Sequence, residues 1–495
     1  MSRQRFVLIG ILFFHSVNTY MDRACIASAV DYIKKDLSMS KELMGLVLGI
    51  FALGYALFQV PSGWIADKLG PRKALTIVVA VWSCFTALTG AARTAVQMLV
   101  LRFFFGVGEA GAFPGAAQAF FRWLPVKDRG LAHGINFSGS RLGAAFSLFL
   151  MPLLIAGCNW EISFWGLLDK PVHMVWSGIG WRWTFVVNGL IGIIWATIWL
   201  LWFRDNPRDN PKVNEAELDY IEKGRTTDFT ATVKASFAEI FTSLNMVLAM
   251  IQYFASNVTF FISLTWLPSY LKNQWPNDPK AVFFSAVPLI GAAFANWIAG
   301  TMVTQLFKRG HHVGSRRVTA IVGFSLGVIG LLLATQTDNL YLFVFFFSIA
   351  TFGVDMTLSP SWAFCNDIGG ANSGAVSGSM NMVGNIGAAL SAIMFPLFLN
   401  EATGSANSFF IMAAGLNILA IVMWCFMNPN RVSKWKLSPT TIRIIFAAML
   451  TFLVTATTAA ISLKIYLARK KVASETKQVD PNAPEDTLQQ DANQP

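Results

Sequence analysis

Apolar residues along this chain gather into long runs parted by short polar or Pro/Gly-containing breaks, at about 6–30, 43–65, 74–92, 95–120, 131–156 and 181–203. Six more follow at about 244–271, 280–306, 318–336, 340–365, 372–400 and 405–427. A helix needs roughly 20 apolar residues to cross a hydrocarbon core ~30 Å thick, and these runs approach or exceed that length. The pattern predicts an all-α membrane protein of two six-helix bundles, over residues 1–203 and 244–427. Between them, 204–243 carries RDNPRDNPKVNEAELDYIEKGR, too polar to enter lipid and too short for a folded domain, so it reads as a cytoplasmic linker.

A thirteenth apolar run, Thr440 to Leu463, lies within residues 428–471 and reads as an additional membrane-associated helix. Lys434 and Lys436 precede it, and Lys464, Arg469, Lys470 and Lys471 follow. Positive charge therefore flanks both ends, and the run either crosses against the charge rule or lies along the surface. Residues 472–495, rich in Gln, Asp, Asn and Pro, read as a disordered tail.

Composition agrees with lipid as the main solvent: 54% of residues are hydrophobic and only 13% charged, against about a quarter charged in soluble domains. The net charge of +11 would suit nucleic acid or a membrane surface, but the charges sit in loops. With a cytoplasmic N-terminus, Lys and Arg number 21 in the inner loops against 7 in the outer ones, which fixes the orientation by the positive-inside rule. Nucleic acid is thereby excluded as a partner, and the bilayer takes its place. Cys25, Cys84, Cys158, Cys365 and Cys425 are scattered through apolar stretches without CxxC spacing, which argues for membrane-buried thiols over disulfides or a zinc site. The first run is not a cleaved signal peptide, because Asp22 and Arg23 would fall in its cleavage region and a second span follows directly.

After the second span comes GWIADKLGPRK, from Gly63 to Lys73. Gly63 and Gly70 permit close helix approach and a tight turn, while Asp67 and the cations Lys68, Arg72 and Lys73 can latch helix ends through charge-assisted bonds. The equivalent loop of the second half has Thr304 where the acid would fall, as expected of diverged parallel halves. In the fourth span, LRFFFGVGEAGAFPG satisfies the GxGxxG spacing with Gly106, Gly108 and Gly111. A dinucleotide site needs a preceding strand, so these glycines read as helix-packing positions.

Arg102 and Glu109 lie seven residues apart in that span and share a face; ionisable groups at this depth face protein and carry function by default. In the first span, NTYMDR puts Tyr20 and Arg23 on one face with Asp22 turned about 100° away. At ~1.5 Å per residue, Asp22 and Arg23 lie about 24 Å from the inner side and Arg102 about 20 Å, which predicts that Asp22 meets Arg102. The five histidines, mostly loop-placed or at ends by this reading, receive no role.

The glycine-acid-cation loop resembles the signature of the major facilitator superfamily. Together with TYMDR, Tyr55, LRFFFGVGEAGAFPG, WLPVKDRGLAHG, TWLPSYL from Thr265 to Leu271 and SGSMNMVGNIGA from Ser377 to Ala388, the chain is similar to its anion:cation symporter family over residues 6–427. That resemblance implies a major facilitator fold and substrate contacts from Tyr20, Arg23, Tyr55, Ser359, Ser361, Trp362 and Asn381. It further implies proton titration at Asp22 and Glu109 with Arg102 as charge partner. The residue types suit the task, since Arg pairs with carboxylate and Tyr, Ser and Asn bond to hydroxyls. Where galactonate-type members have a glutamine in the fifth span, this chain has Ser140 beside Arg141, which opens the possibility of a dicarboxylate; equally, Arg141 pairs with a neighbouring acid or snorkels.

The expectation is thus a monomeric, multi-pass transporter of the cell inner membrane that carries a small organic anion, foremost a sugar acid (aldonate, aldarate or hexuronate), with protons and with no cofactor or metal. The alternatives are a carrier of aromatic or dicarboxylic acids, an anion exchanger or facilitator, and a sensor built on the same fold. An enzyme would require a clustered nucleophile and base or a metal-ligand set, and none stands out in the sequence.

Overall fold

The structure, a computed structural model, describes residues 2–162, 172–225, 237–278, 280–400, 403–430 and 440. In the first half α1 (Gln4–Asp36), α2 (Lys41–Leu69) and α3 (Pro71–Thr89) are followed by a fourth span made of α4 (Ala95–Glu109) and α5 (Ala112–Trp123), then by α6 (Val126–Ala156) and α7 (Gly180–Trp202). The linker holds α8 (Glu215–Lys223) and α9 (Phe237–Thr242). The second half runs α10 (Leu244–Thr265), α11 (Leu267–Gln274), α12 (Ala281–Phe284), α13 (Val287–Lys308) and α14 (His312–Ala334). It continues with α15 (Leu340–Met356), α16 (Leu358–Gly369), α17 (Ser373–Met394) and α18 (Asn407–Phe426). Each of the first twelve predicted apolar runs coincides with a helix or a broken helix. Most are long and apolar enough to cross a membrane; α1 is not among those stretches, its polar run around Asn18, Asp22 and Arg23 lowering its mean hydropathy.

Several spans are broken rather than continuous, and proline accounts for the breaks in the fourth, seventh and tenth. A proline ring clashes with the carbonyl four residues earlier and donates no hydrogen bond. Pro114, Pro268 and Pro360 bring that clash to Ala110, Leu264 and Met356, beside the breaks at Ala110–Gly111, Trp266 and Thr357. The fourth and tenth spans therefore turn at matching places in the two halves.

Within the first bundle α1 packs on α6, α2 on α4 and α3 on α7; within the second, α10 packs on α17, α14 on α15 and α13 on α15. The bundles meet along two seams, α6 against α13 and α2 against α17. The second seam is close enough to need glycine: a Cβ on Gly63 would strike the Gly374 carbonyl, and one on Gly374 the Gly63 carbonyl. Gly106 of the GxGxxG stretch likewise presses on the Phe51 carbonyl of α2, which is the packing role the sequence suggested.

At the face that carries the linker, the two bundles are tied. Both Asp67 oxygens accept backbone N–H bonds at the start of α17, from Gly374 and Ala375, each 2.8 Å. Arg129 of α6 reaches Asp367 of α16 at 3.3 Å, and Arg316 of α14 donates to the other Asp367 oxygen at 3.0 Å. Arg316 also donates to the Val126 carbonyl. This end of the molecule is closed.

Several expectations need correction. The loop after α6 contains an antiparallel hairpin of β1 (Cys158–Ile162) and β2 (Val172–Trp176), paired from Cys158↔Trp176 to Ile162↔Val172, an addition to the all-α core. Within the linker, Glu217 of α8 accepts bonds from the Gln4 and Arg5 amides at 2.9 and 3.0 Å, fastening α8 beneath the first helix, which the sequence pattern did not indicate. His15 and His133 are not loop residues but buried inside spans, the first ringed by Trp82 and Trp195, the second bonded to Asn366. Four cysteines need no such correction: Cys25 and Cys365 are buried within the protein, and Cys84 and Cys425 face outward from apolar spans. The runs expected at 440–463 and 472–495 lie outside the described residues, Thr440 excepted.

Candidate functional site

A narrow cavity of about 20 Å³ lies between the bundles near mid-span. Tyr20, Arg23, Tyr55, Arg141, Trp362 and Asn381, all predicted from the sequence, line it. The first four come from the N-terminal bundle and the last two from the C-terminal one, so the cavity is completed only where both meet.

Arg23 is the cation on the N-terminal wall. Its Nε donates to both Glu109 oxygens, at 3.0 and 2.9 Å, while the guanidinium lies 4.9 Å from the Tyr20 ring and 4.4 Å from the Tyr55 ring. Glu109 ends α4 at the break in the fourth span and is fully buried. Arg23 Nη2 is a buried donor with no partner among the described residues. A guanidinium with one edge on a carboxylate and another donor unsatisfied suits a second anion, because its fork can hold two acids at once.

Asp22 takes the other side of α1, as the helical spacing required. It does not pair with Arg102, contrary to expectation. Its Oδ2 accepts the indole N–H of Trp82 on α3 at 3.1 Å, and its Oδ1 has no partner. The estimate of depth was sufficient, but rotation about α1 points Asp22 at α3. Arg102 instead lies against the rings of Phe105 and Phe51, at 4.5 and 5.2 Å, with its Nε unsatisfied.

Arg141 forms the second buried pair. Its Nε donates to Asp355 Oδ1 at 2.7 Å and an Nη donates to the Tyr20 hydroxyl at 3.2 Å, with the guanidinium stacked 3.5 Å from the Phe260 ring. Asp355 belongs to α15, so the pair crosses between bundles. Asn296 of α13 donates to the same Oδ1 at 3.2 Å, and Oδ2 remains without a partner. Of the two readings open at Arg141, pairing with a neighbouring acid is what the resting structure holds; the same residue nevertheless lines the cavity.

Three predicted contacts are not brought to the cavity. Ser140 Oγ donates to the Phe137 carbonyl and Ser361 Oγ to the Thr357 carbonyl, both one turn back in their own chain, while Ser359 Oγ spans the seam to the Gly130 carbonyl. Hydroxyls inside helices commonly satisfy themselves this way, and spacing alone does not reveal it. Asn381 is better placed: it donates to the Tyr55 hydroxyl at 3.2 Å and to Gln59 at 2.9 Å, linking the bundles at the cavity. Trp362 donates its indole N–H to Tyr253 at 3.0 Å.

Sequence reasoning missed Asp355, Tyr253 and Asn385, which also line the cavity. Asp355 had a signal, since it is the one ionisable group in LYLFVFFFSIATFGVDM apart from the tyrosine phenol. Tyr253 and Asn385 resemble ordinary packing residues until the fold turns them inward.

At the linker face, Lys68 stacks over Trp64 at 5.6 Å and Arg72 donates to the Leu200 carbonyl at 2.9 and 3.1 Å, so the motif cations hold their own bundle. Lys73 is exposed. Gly70 takes a left-handed φ of 81°, where a side chain would also meet Asp205. Asp67 alone reaches across, onto the N-terminus of α17, where unpaired amides and the helix dipole favour an anion. Thr304, the counterpart in the second half, has a buried hydroxyl without a partner, and Arg129, Asp367 and Arg316 tie that side instead.

Comparison with known proteins places this architecture. The chain is 30% identical over 86% of its length, and 94% of the other chain, to the probable sulfoacetate transporter SauU of Cupriavidus necator. It is also 30% identical to the probable galactarate/D-glucarate transporter GudP of Bacillus subtilis, over 86% of this chain and 91% of that one. Its fold is similar to that of the proton:xylose symporter XylE bound to a bromodeoxyglucose, with a TM-score of 0.66 at 14% identity over 86% of this chain and 96% of that one. The Major Facilitator Superfamily family profile matches residues 12–168 and 172–392, and the chain, with its paired six-helix bundles and glycine-acid-cation loop, belongs to that superfamily of membrane transporters.

Proposed function

We propose that this protein is a proton-coupled symporter of a small organic anion, a sugar acid of the aldonate, aldarate or hexuronate type, working by alternating access. The observation that carries the reading is the Arg23–Glu109 pair: a buried acid holds a cation that lines the cavity with a donor to spare. Protonating Glu109 frees Arg23 for a substrate carboxylate, and the substrate hydroxyls find Tyr20, Tyr55 and Asn381 around it. Asp22, with one oxygen on Trp82 and the other open, takes a proton first, and the Arg102 charge near both acids sets when each lets go. Opening at the linker face releases the anion and then the Glu109 proton, so that binding and proton movement are linked.

The membrane is the cell inner membrane, the N-terminus is cytoplasmic by the distribution of Lys and Arg, and the working unit is the monomer. The relatives named for sulfoacetate and for galactarate/D-glucarate support an organic acid as substrate, and both molecules bear two acidic groups. The second buried arginine, Arg141, favours dianions among the sugar acids. The test is uptake by purified protein in liposomes, screened over aldonates, aldarates and hexuronates with and without an inward proton gradient. Accumulation that needs the gradient supports the reading; uptake indifferent to it makes the protein a facilitator or exchanger, and no uptake of any of these acids refutes it.

A further inference from the structure

Two arginines lie beside one tyrosine. The Arg23 guanidinium lies 4.9 Å and the Arg141 guanidinium 5.7 Å from the centroid of the Tyr20 ring, so a short chain with an anionic group at each end can touch both. Each arginine is already matched by its own carboxylate, Glu109 for Arg23 and Asp355 for Arg141. The two pairs therefore balance two cations with two anions at rest.

We propose that Asp355 is a tethered stand-in for a substrate's second anionic group, and that it takes up one extra proton whenever a dianion, as opposed to a monoanion, is bound. The inference rests on the proposed function. Charge balance supplies the reason. A monoanion on Arg23 needs only Glu109 neutralised, and Arg141–Asp355 stays closed. A dianion that also engages Arg141 would leave Asp355 as an unpaired buried anion, which costs several kcal/mol unless it is neutralised. With both acids protonated, two cations again face two negative charges.

The geometry gives that proton a place. Asp355 Oδ1 is occupied by Arg141 and Asn296, whereas Oδ2 is buried without a partner. The charged and titratable groups facing Asp355 among the described residues are Arg141 from α6, Tyr20 from α1 behind that guanidinium and Tyr253 from α10 across the cavity. Packed α13 contributes neutral Asn296, and α14 meets α15 through Gly323 and Gly327 against Gly353. No second acid competes there for the proton, which enters from the outer solution and leaves on the inner side once Arg141 recovers Asp355.

The experiment measures binding of galactarate and of galactonate to the purified full chain across pH 6–8, where both are fully ionised. In the wild type, each unit of rising pH above the acid's titration weakens galactarate binding about tenfold more than galactonate binding, the signature of one additional linked proton. In Asp355→Asn the two slopes become equal, and Asp355→Glu restores the difference. Equal slopes in the wild type, or unequal slopes in Asp355→Asn, overturn the inference while leaving the anion carrier intact. Failure of the wild type to bind either acid overturns both. Should Asp355→Asn not fold, Arg141→Gln with Asp355→Asn removes both buried charges together; unequal slopes in that protein equally overturn the inference.

Discussion

Arg23 and Glu109 belong to the same bundle, on α1 and α4, whereas Arg141 and Asp355 come from opposite bundles, on α6 and α15. The first pair travels as a unit whichever way the bundles rock, so only chemistry, a proton or a competing anion, can part it. The second is strained by rocking as well, because its partners ride on different bodies. One pair is thus suited to sensing the proton, the other to sensing both the substrate and the closure of the seam. Asn381 with Tyr55 and Gln59 crosses the other seam, α2 against α17, without charge, and Asp67 crosses that seam at the linker face with charge on one side only.

The largest expected effect is at the intra-bundle pair. Arg23→Ala leaves Glu109 as an uncompensated buried charge and removes the substrate's countercharge, at a cost of ~3–5 kcal/mol. Calorimetric titration of the sugar acid should show binding weakened at least about 100-fold by that figure, with Arg23→Lys recovering only part because it lacks the planar fork. Binding within threefold of the wild type would remove Arg23 from the site. At the inter-bundle pair the effect should be selective: Arg141→Gln should weaken transport of an aldarate about tenfold more than that of the matching aldonate, the scale of one charge-assisted hydrogen bond. Equal losses would make Arg141 a structural cation.

The smallest effect should be at the linker face. Asp67→Asn keeps one acceptor but loses the other together with the charge at the α17 N-terminus, a contribution of about 1 kcal/mol, so the population open to the inside should rise only about fivefold. Single cysteines placed in each vestibule report it through their rates of labelling. Unchanged labelling with normal transport would mean that Arg129, Asp367 and Arg316 hold that end unaided.

Span positions, the two bundles and the linker were legible in the sequence because lipid imposes a length and a composition on every crossing. The hairpin at β1 and β2 was not, since two strands of five residues leave little pattern inside an outer loop. Helical spacing correctly put Tyr20 and Arg23 on one face, and Asp22 on another. It could not say which neighbouring helix each face meets, which is why Asp22 was matched to Arg102 when its partner is Trp82. Ser140, Ser359 and Ser361 show a second limit: a hydroxyl's choice between a ligand and a backbone carbonyl depends on rotamer and on the adjacent helix. Asp355 was visible as a lone acid in an apolar span, but its meaning required the fold to bring α15 beside α6.

Glu109→Gln tests the central claim most directly. Proteoliposomes would be loaded and assayed in two ways, uptake of the sugar acid under an imposed inward proton gradient and counterflow of labelled substrate without one. The variant cannot take up or give back a proton at that site, yet exchange of bound for unbound substrate needs no net change in protonation. Accumulation should therefore fall to the equilibrated level while counterflow persists. If the Gln variant still concentrates substrate against its gradient as the wild type does, the proton is carried elsewhere and the Arg23–Glu109 pair is not the coupling device.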